Sequence, residues 1–503
     1  MSGRLRRLDI EEPAEINTRF TWDQRFRFGQ VHPFRFVNEP RTGVKMRVCL
    51  DSLTLDESDP TSELTRRFLL DLRPEHYEVF RTPGDAPSLQ PVPAFVLGGG
   101  TDVASVDLEA FGHKRGAGVH YPGQSDDLAQ IWLGDRSAGR EIVAVKAAEA
   151  LDGHLFVTWS PALLQIRDAH RFKIAVVTPL EAMPILSSWC RGFGDYWDGH
   201  IVTSAWHYYW ALARALTPNA NPDFAALMFA WYRRPDGPGL GRVGQSALTR
   251  LASALHALDD MYRAWQLPTD NATNDSISDD FDQIVLGVSG ILDNLALLAG
   301  KYFGLSGLQP FEWSLVHSKY VRKLRAVGDA RATAVADYID SNRIRIALHS
   351  ELRHHAVHRD RLAGMSYQHQ GEPQETRMRI FEPMLGELWQ SLEASGEDPA
   401  EWGIRDRVGP HDTKVSFVGQ PERAETEHSP GEAMLDPMPF ARLLMRKTAT
   451  TVDDIFGRLR LQDDPSLTAE EVAAIDSHDA KASWPFRPRD RVALILTSPL
   501  AGL

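Results

Sequence analysis

Short apolar runs alternate with helix-compatible stretches along the first two fifths of the chain. Residues 46–51, Met-Arg-Val-Cys-Leu-Asp, form a β-type run ending in an acid, and 63–72 follows as a helix. Residues 94–97 read as a second strand, broken by Gly98, Gly99 and Gly100. Residues 141–151 read as a helix, 154–158 as a buried strand, 163–167 as the start of a helix, and 173–177 as another strand. Thr178 then serves as N-cap and Pro179 as first residue of the next helix. This alternation predicts an α/β domain with a mainly parallel sheet.

From about residue 200 the period becomes helical. Helices are predicted over 205–216, 223–232, 246–265, 281–303, 332–340 and 343–361, with breaks at 239–241 and 268–270. Leu251, Leu255 and Leu258 recur at helical spacing, as do Leu286, Ile291, Leu295 and Leu298. At least four helices are long enough for a bundle. After Gly364, the pattern gives a strand at 376–380, a helix at 384–395, a Glu/Pro/Ser-rich linker at 419–431, a helix at 440–461 and a strand at 491–497. Asp436-Pro437 reads as a helix-start turn. The expected organisation is multidomain α/β plus α: a lead segment 1–43, an α/β domain 44–195, a helical domain 200–365 and a small α+β unit 366–503.

Composition narrows the function classes. At 503 residues, 43% hydrophobic and 24% charged, the chain has apolar surface for several cores. A net charge of −13 argues against sequence-blind nucleic-acid binding, so any such contact must be local. Cys49 and Cys190 lie far apart and outside any CxxC pattern, which excludes a disulfide scaffold or cysteine zinc site and fits a reducing compartment. The first residues turn acidic instead of apolar, so no signal peptide is expected. No apolar run is read as approaching the roughly 20 residues that span a bilayer. The expected location is therefore the cytoplasm, without a membrane partner.

Chemistry concentrates at Arg353-His354-His355-Ala356-Val357-His358, on a helix whose apolar face is expected to carry Ile344, Leu348 and Leu352. Arg353 and His358 are separated by about 7.5 Å along the axis. An arginine can hold a phosphate with two parallel hydrogen bonds, and a histidine exchanges a proton near neutral pH. RNA cleavage by an internal hydroxyl needs such a proton-transfer group and stabilisation of the charged phosphorane. Arg343, Arg345, Arg353, Arg359 and Arg361 outnumber Glu351 and Asp360 here, giving a local basic patch. The plain alternative is a solvated helix face with those acids as ion-pair partners. A zinc reading of His354 and His358 lacks the intervening Glu and a third ligand.

The run resembles the signature of the HEPN superfamily: an Arg, a polar residue, three more residues and a His on the last core helix. Arg353, His354 and His358 match it position by position, where relatives often carry Asn at the second place. The resemblance implies a four-helix bundle over about 246–362 and a metal-independent endoribonuclease acting on RNA, often in toxin–antitoxin or defence settings. It also implies a homodimer that brings two motifs face to face, and a regulatory protein partner in some cases. In that reading His358 is acid/base, Arg353 the phosphate clamp and His354 an orienting group. Some members of the family only bind.

Residues 46–54 similarly resemble the first strand of PIN-like nuclease domains, and 141–160 a later segment. Clustered carboxylates at strand ends would hold Mg²⁺ or Mn²⁺ there, with Asp51 and Glu141 at two of those positions. His154 and Ser160 stand where the family often has acids, so the resemblance covers the fold of 45–190 better than the activity. A strand-end turn residue and a helix N-terminal charge are the plain readings of Asp51 and Glu141. Gly98-Gly99-Gly100-Thr101 lacks the Lys of a phosphate loop and reads as a turn. Trp206, Tyr208, Tyr209, Trp210 and Trp231 at helical spacing read as packing residues, with base stacking as the alternative. Two further functions follow: a non-catalytic adaptor built from degenerate nuclease folds, and a metal-dependent PIN-like nuclease.

Overall fold

A computed structural model describes residues 46–51, 54, 77–81, 93–97, 103–105, 145, 148, 153–161, 163–164, 174–192, 194–197, 202–232, 239–265, 271–358, 364–367, 375–381, 384–405, 414–415, 426–427, 432–481 and 488–501. They fall into two compact units: residues 1–203 with 266–268 and 496–503, and residues 204–265 with 269–495.

The first unit is α/β. Strands β1 (Met46–Leu50), β2 (Tyr77–Arg81), β3 (Pro93–Leu97), β4 (Val103–Ser105), β5 (Leu155–Val157) and β6 (Ala175–Val177) form one sheet in the order β4-β3-β2-β1-β5-β6. The β2-β1-β5-β6 stretch is parallel, whereas β3 and β4 join antiparallel. Burial explains the unbroken apolar runs: Leu155, Phe156 and Val157 are all fully buried, as parallel strands covered on both faces require. Helix α1 (Pro179–Gly192) starts as the sequence predicts. Thr178 N–H donates to Glu181 Oε2 at 2.8 Å and Glu181 N–H to Thr178 Oγ1 at 3.3 Å, a reciprocal cap. Strands β7 (Tyr196–Trp197) and β8 (Val202–Thr203) make a small hairpin. Residues 496–501 also belong here, with Leu496, Thr497, Ser498, Leu500 and Ala501 buried; Arg191, itself buried, donates to the Thr497 carbonyl at 3.0 Å. The helix expected over 63–72 lies outside the described residues.

The second unit is mainly helical. Helices α2 (Ala205–Leu216) and α3 (Ala220–Ala226) lead, through a π-turn at Leu227–Trp231, to α4 (Leu240–Trp265) and α5 (Asn271–Tyr302). Helices α4 and α5 form an antiparallel pair whose register is fixed by small residues. Ser246 faces Asn294 in a 3.0 Å hydrogen bond. A Cβ on Gly287 would sit 3.2 Å from the Ala254 Cβ, and one on Gly290 only 2.7 Å from the Arg250 guanidinium. Helices α6 (Ser318–Ala326), α7 (Ala330–Ser341) and α8 (Arg343–His358) follow. Strands β9 (Gly364–Tyr367), β10 (Glu375–Phe381), β11 (Ile404–Arg405) and β14 (Glu432–Leu435) form an antiparallel sheet in the order β11-β14-β10-β9, while β12 (Lys414–Val415) pairs with β13 (Thr426–Glu427). Helix α9 (Met384–Ala394) packs on α8, and α10 (Pro437–Leu459) lies against α4, α5 and α7. Its core joins Leu251 and Leu255 to Ile284, Ile291 and Leu295 and to Leu444, Val452 and Ile455, all fully buried. Such burial is worth about 1.5–3 kcal/mol per side chain. Asp436 caps α10 through the Met438 N–H and pairs with buried Arg377 of β10 at 3.0 Å. Helix α11 (Ala469–Lys481) completes the described order together with α12 (Pro488–Thr497).

Three expectations change. Residues 491–497 belong to helix α12, not a strand: a short apolar run has no decisive period, and Pro488 opens the helix at its first position. Leu286 and Ile344 are 44% and 42% exposed, not core. Leu286 lies 140° around α5 from Ile291, and the buried stripe instead runs through Ile284, Val288, Ile291 and Leu295. Helix α8 is covered by α5 and α9, so Ile346 and Leu348 are both buried although 200° apart. Among the described residues one helix, α5, is long and apolar enough to cross a membrane, contrary to the expectation that no run approaches that length. Most of its apolar window, 61%, is buried within the protein.

Candidate functional site

Helix α8 carries the Arg353–His358 run. It starts one residue after α7, with the Ile346 N–H bonded to the Asn342 carbonyl at 2.9 Å, and Leu348 and Leu352 anchor it inward. Arg353, next to Leu352, points along the rim and stays half-exposed. Its Nη1 donates to Asp293 Oδ2 at 3.0 Å and to Ser289 Oγ at 3.3 Å. Ser289 and Asp293 are four apart on α5, so one helical ridge supplies both contacts. An exposed pair of this kind contributes about 0–1 kcal/mol, too little to hold the fold, but two acceptors fix the direction of the guanidinium. His354 and His358 lie within α8, and their side chains lie outside the described residues, as do Arg359 and Arg361. Helical geometry separates Arg353 and His358 by about 7.5 Å and 140° around the axis. The basic neighbours are partly spoken for: Arg343 donates to the Val316 carbonyl at 3.0 Å, and Arg345 pairs with Glu397 at 3.3 Å.

The second expected site lies at the carboxyl end of β1, where parallel α/β sheets usually bind ligands. Asp51 follows β1 and its N–H bonds the Val157 carbonyl of β5 at 3.0 Å. Its carboxylate is fully buried, and Oδ2 accepts from Thr158 Oγ1 at 2.6 Å and Thr54 Oγ1 at 2.7 Å. Thr54 Oγ1 in turn accepts from the Trp159 N–H at 3.0 Å, and Thr158 Oγ1 from the Ser160 N–H at 2.9 Å. The result is a clasp joining the ends of two adjacent strands. Both of these hydroxyl bonds fall on Oδ2, so this oxygen already serves the clasp. His154 and Ser160 are buried, and Ser160 Oγ accepts from the Leu163 N–H at 3.2 Å, capping a helical turn. Glu141, the other residue of the expected pair, lies outside the described residues. Among the described residues no three His, Cys, Asp or Glu side chains converge as a metal site.

Some perturbed groups escaped sequence reasoning. Asp223 of α3 is fully buried; Oδ1 accepts the Gln462 N–H at 3.1 Å, while Oδ2 has no hydrogen-bond partner among the described residues. Burial pushes its pKa up to about 8 against the pull of the Gln462 and Leu461 amides. Nearby, Arg331 donates to the Tyr302 hydroxyl at 2.6 Å, and that hydroxyl bonds Asp464. Tyr209 of α2 donates to buried Asp259 of α4 at 2.8 Å, and Arg263 pairs with Asp259 and Asp260 on α4. Asp280 is raised to about 7 by burial first and then by Asp260 and Asp279. In sequence, Asp223 is indistinguishable from an ordinary acid near a helix start. The aromatic cluster is packing in part: Tyr208 and Tyr209 are buried, whereas Trp206 is 59% exposed and stacks on Trp210 at 5.7 Å.

Comparison of the chain with protein-family models, curated proteins and solved structures finds no match.

Proposed function

We propose that the protein is a HEPN-like, metal-independent endoribonuclease whose reaction centre is Arg353 and His358 on α8, within a helical unit that accompanies a PIN-like α/β unit. The observation that carries the reading is the half-exposed Arg353 guanidinium, aimed by Ser289 and Asp293 on the last long helix before β9. His358 would take the proton from an RNA 2′-hydroxyl or return one to the leaving 5′-oxygen. Arg353 would stabilise the charge on the phosphorane, with His354 orienting. Arg353 and His358 lie 140° apart around α8, which favours a homodimer in which a second α8 faces the first and completes the reaction centre. The test is cleavage of mixed RNA in EDTA by wild type, His358→Ala and Arg353→Ala. Cleavage that persists in EDTA and falls at least a hundredfold in His358→Ala, in the range general acid–base catalysis contributes, supports the reading. Equal cleavage by wild type and His358→Ala sinks it.

A second reading is an adaptor for a regulatory protein partner, and the Asp51 clasp favours it because that carboxylate serves two threonines. It expects no cleavage with or without Mg²⁺ or Mn²⁺. Cleavage that requires either metal and is lost in Asp51→Asn or Glu141→Gln would instead assign a PIN-like metal nuclease.

A further inference from the structure

Helix α6, Ser-Lys-Tyr-Val-Arg-Lys-Leu-Arg-Ala, carries Lys319, Arg322, Lys323 and Arg325 and no acid. Its apolar side is used up internally: Tyr320, Val321 and Leu324 are buried. Lys319, Arg322 and Lys323, at i, i+3 and i+4, share the outward ridge. Two of the four cations are balanced. Lys319 bonds both Glu312 oxygens at 2.8 and 2.7 Å, and Arg325 pairs with Asp337 and Asp340 at 2.8 and 2.6 Å. Arg322 is exposed with no acidic partner among the described residues, and the Lys323 ammonium meets only the Ser306 carbonyl there. At the amino end of the same helix stands Phe311, 72% exposed, its ring edge-on to His317 at 6.0 Å. His317 is the N-cap of α6, and Arg343 reaches the Val316 carbonyl beside it.

The geometry points to a docking surface for single-stranded nucleic acid, in which Phe311 stacks on a base and the Arg322–Lys323 ridge holds the phosphates that follow. The charge is local: residues 311–345 hold seven Lys and Arg against four Asp and Glu in a chain of net −13. A duplex would not offer an unstacked base to the ring, whereas a single strand does. A membrane surface fits less well, because α6 has no apolar face left to insert and Phe311 sits beyond its end. An acidic protein segment would use the cations but has no need of an open aromatic face. The surface uses none of the residues of the Arg353–His358 motif, and its test does not depend on cleavage.

Anisotropy of a labelled mixed-sequence single-stranded RNA, in EDTA and on a His358→Ala background, reads binding alone. Phe311→Ala is expected to weaken binding about tenfold, and Phe311→Tyr to restore it. Arg322→Ala with Lys323→Ala should weaken binding and lower the slope of log affinity against log salt by about 1.4. Wild-type binding unaffected by these substitutions overturns the proposal, as does absence of binding to the strand. Loss of binding to phosphatidylserine vesicles or a polyglutamate peptide in the same variants, with RNA binding unchanged, overturns it in favour of those partners.

Discussion

Asp223 is a carboxyl with one oxygen accepting from a backbone amide and the other without a hydrogen-bond partner among the described residues, in a fully buried setting. Gln462, whose N–H it accepts, has its own Oε1 buried without a hydrogen-bond partner among the described residues. Burial favours the neutral, protonated acid over the carboxylate, which accounts for a pKa of about 8. The consequence for stability has a definite sign. The folded value lies above the unfolded value of about 3.9, so this contribution is complete below pH ~4 and is lost as pH rises towards 8. Asp223→Asn keeps an oxygen for the amides and adds a donor that cannot ionise. It should raise the midpoint of thermal unfolding at pH 8 by about 2–4 °C and flatten its decline between pH 5 and 8. A midpoint lower than wild type at pH 8 would mean that the charged form is the one the fold holds.

At the scale of elements, the reciprocal cap at the start of α1 makes a separate prediction. Thr178→Ala removes the acceptor for the Glu181 N–H and should cost about 1 kcal/mol in denaturant unfolding of the α/β unit, while Thr178→Ser costs much less. Thr178 was legible as this cap because Pro179 follows it at the first helical position; the reciprocal bond to Glu181 came from the structure. Helix α2 was legible as well: it spans Ala205–Leu216, the bounds its composition predicts, and the structure adds Ser204 as its cap. The edges of α4 and α5 were read short, since Gly, Arg, Ser and Asp at their amino ends show no apolar period. The Asp51 clasp was illegible, because Thr158 is 107 residues away and only the pairing of β1 with β5 brings it near. Arg353 and His358 were legible as a pattern, but the Ser289–Asp293 seat on α5 was not, since nothing local specifies which helix α8 lies against. Residues 491–497 show the limit of periodicity, where a strand and a buried helix end look alike.

The whole molecule divides unevenly along its chain. Residues 204–265 and 269–495 make the helical unit, yet residues 496–503 belong to the α/β unit, more than 290 positions beyond its other main segment. Arg191 holds the Thr497 carbonyl, and the surrounding residues 496–498 are fully or almost fully buried. Removing residues 496–503 should therefore expose the α/β unit to protease while the helical unit keeps its circular dichroism and resistance. Arg191→Ala should do the same more mildly. Equal protease resistance of full-length and shortened chains would show that the α/β unit closes without this segment.

The return of that segment also sets an order of events during synthesis. The α/β strands are made before the helical unit, but their unit lacks part of its interior until residue 501 has emerged from the ribosome. The intervening 292 residues, from 204 to 495, take roughly 15–60 s to translate at typical speeds. Throughout that interval the helical unit can complete itself while the earlier-made unit stays open, with the places later filled by Leu496 and Leu500 accessible to solvent and to chaperones. The α/β strands are thus made before the helical unit but completed after it, and a ribosome stalled in α12 would hold a chain that is half folded in the reverse of its order of synthesis.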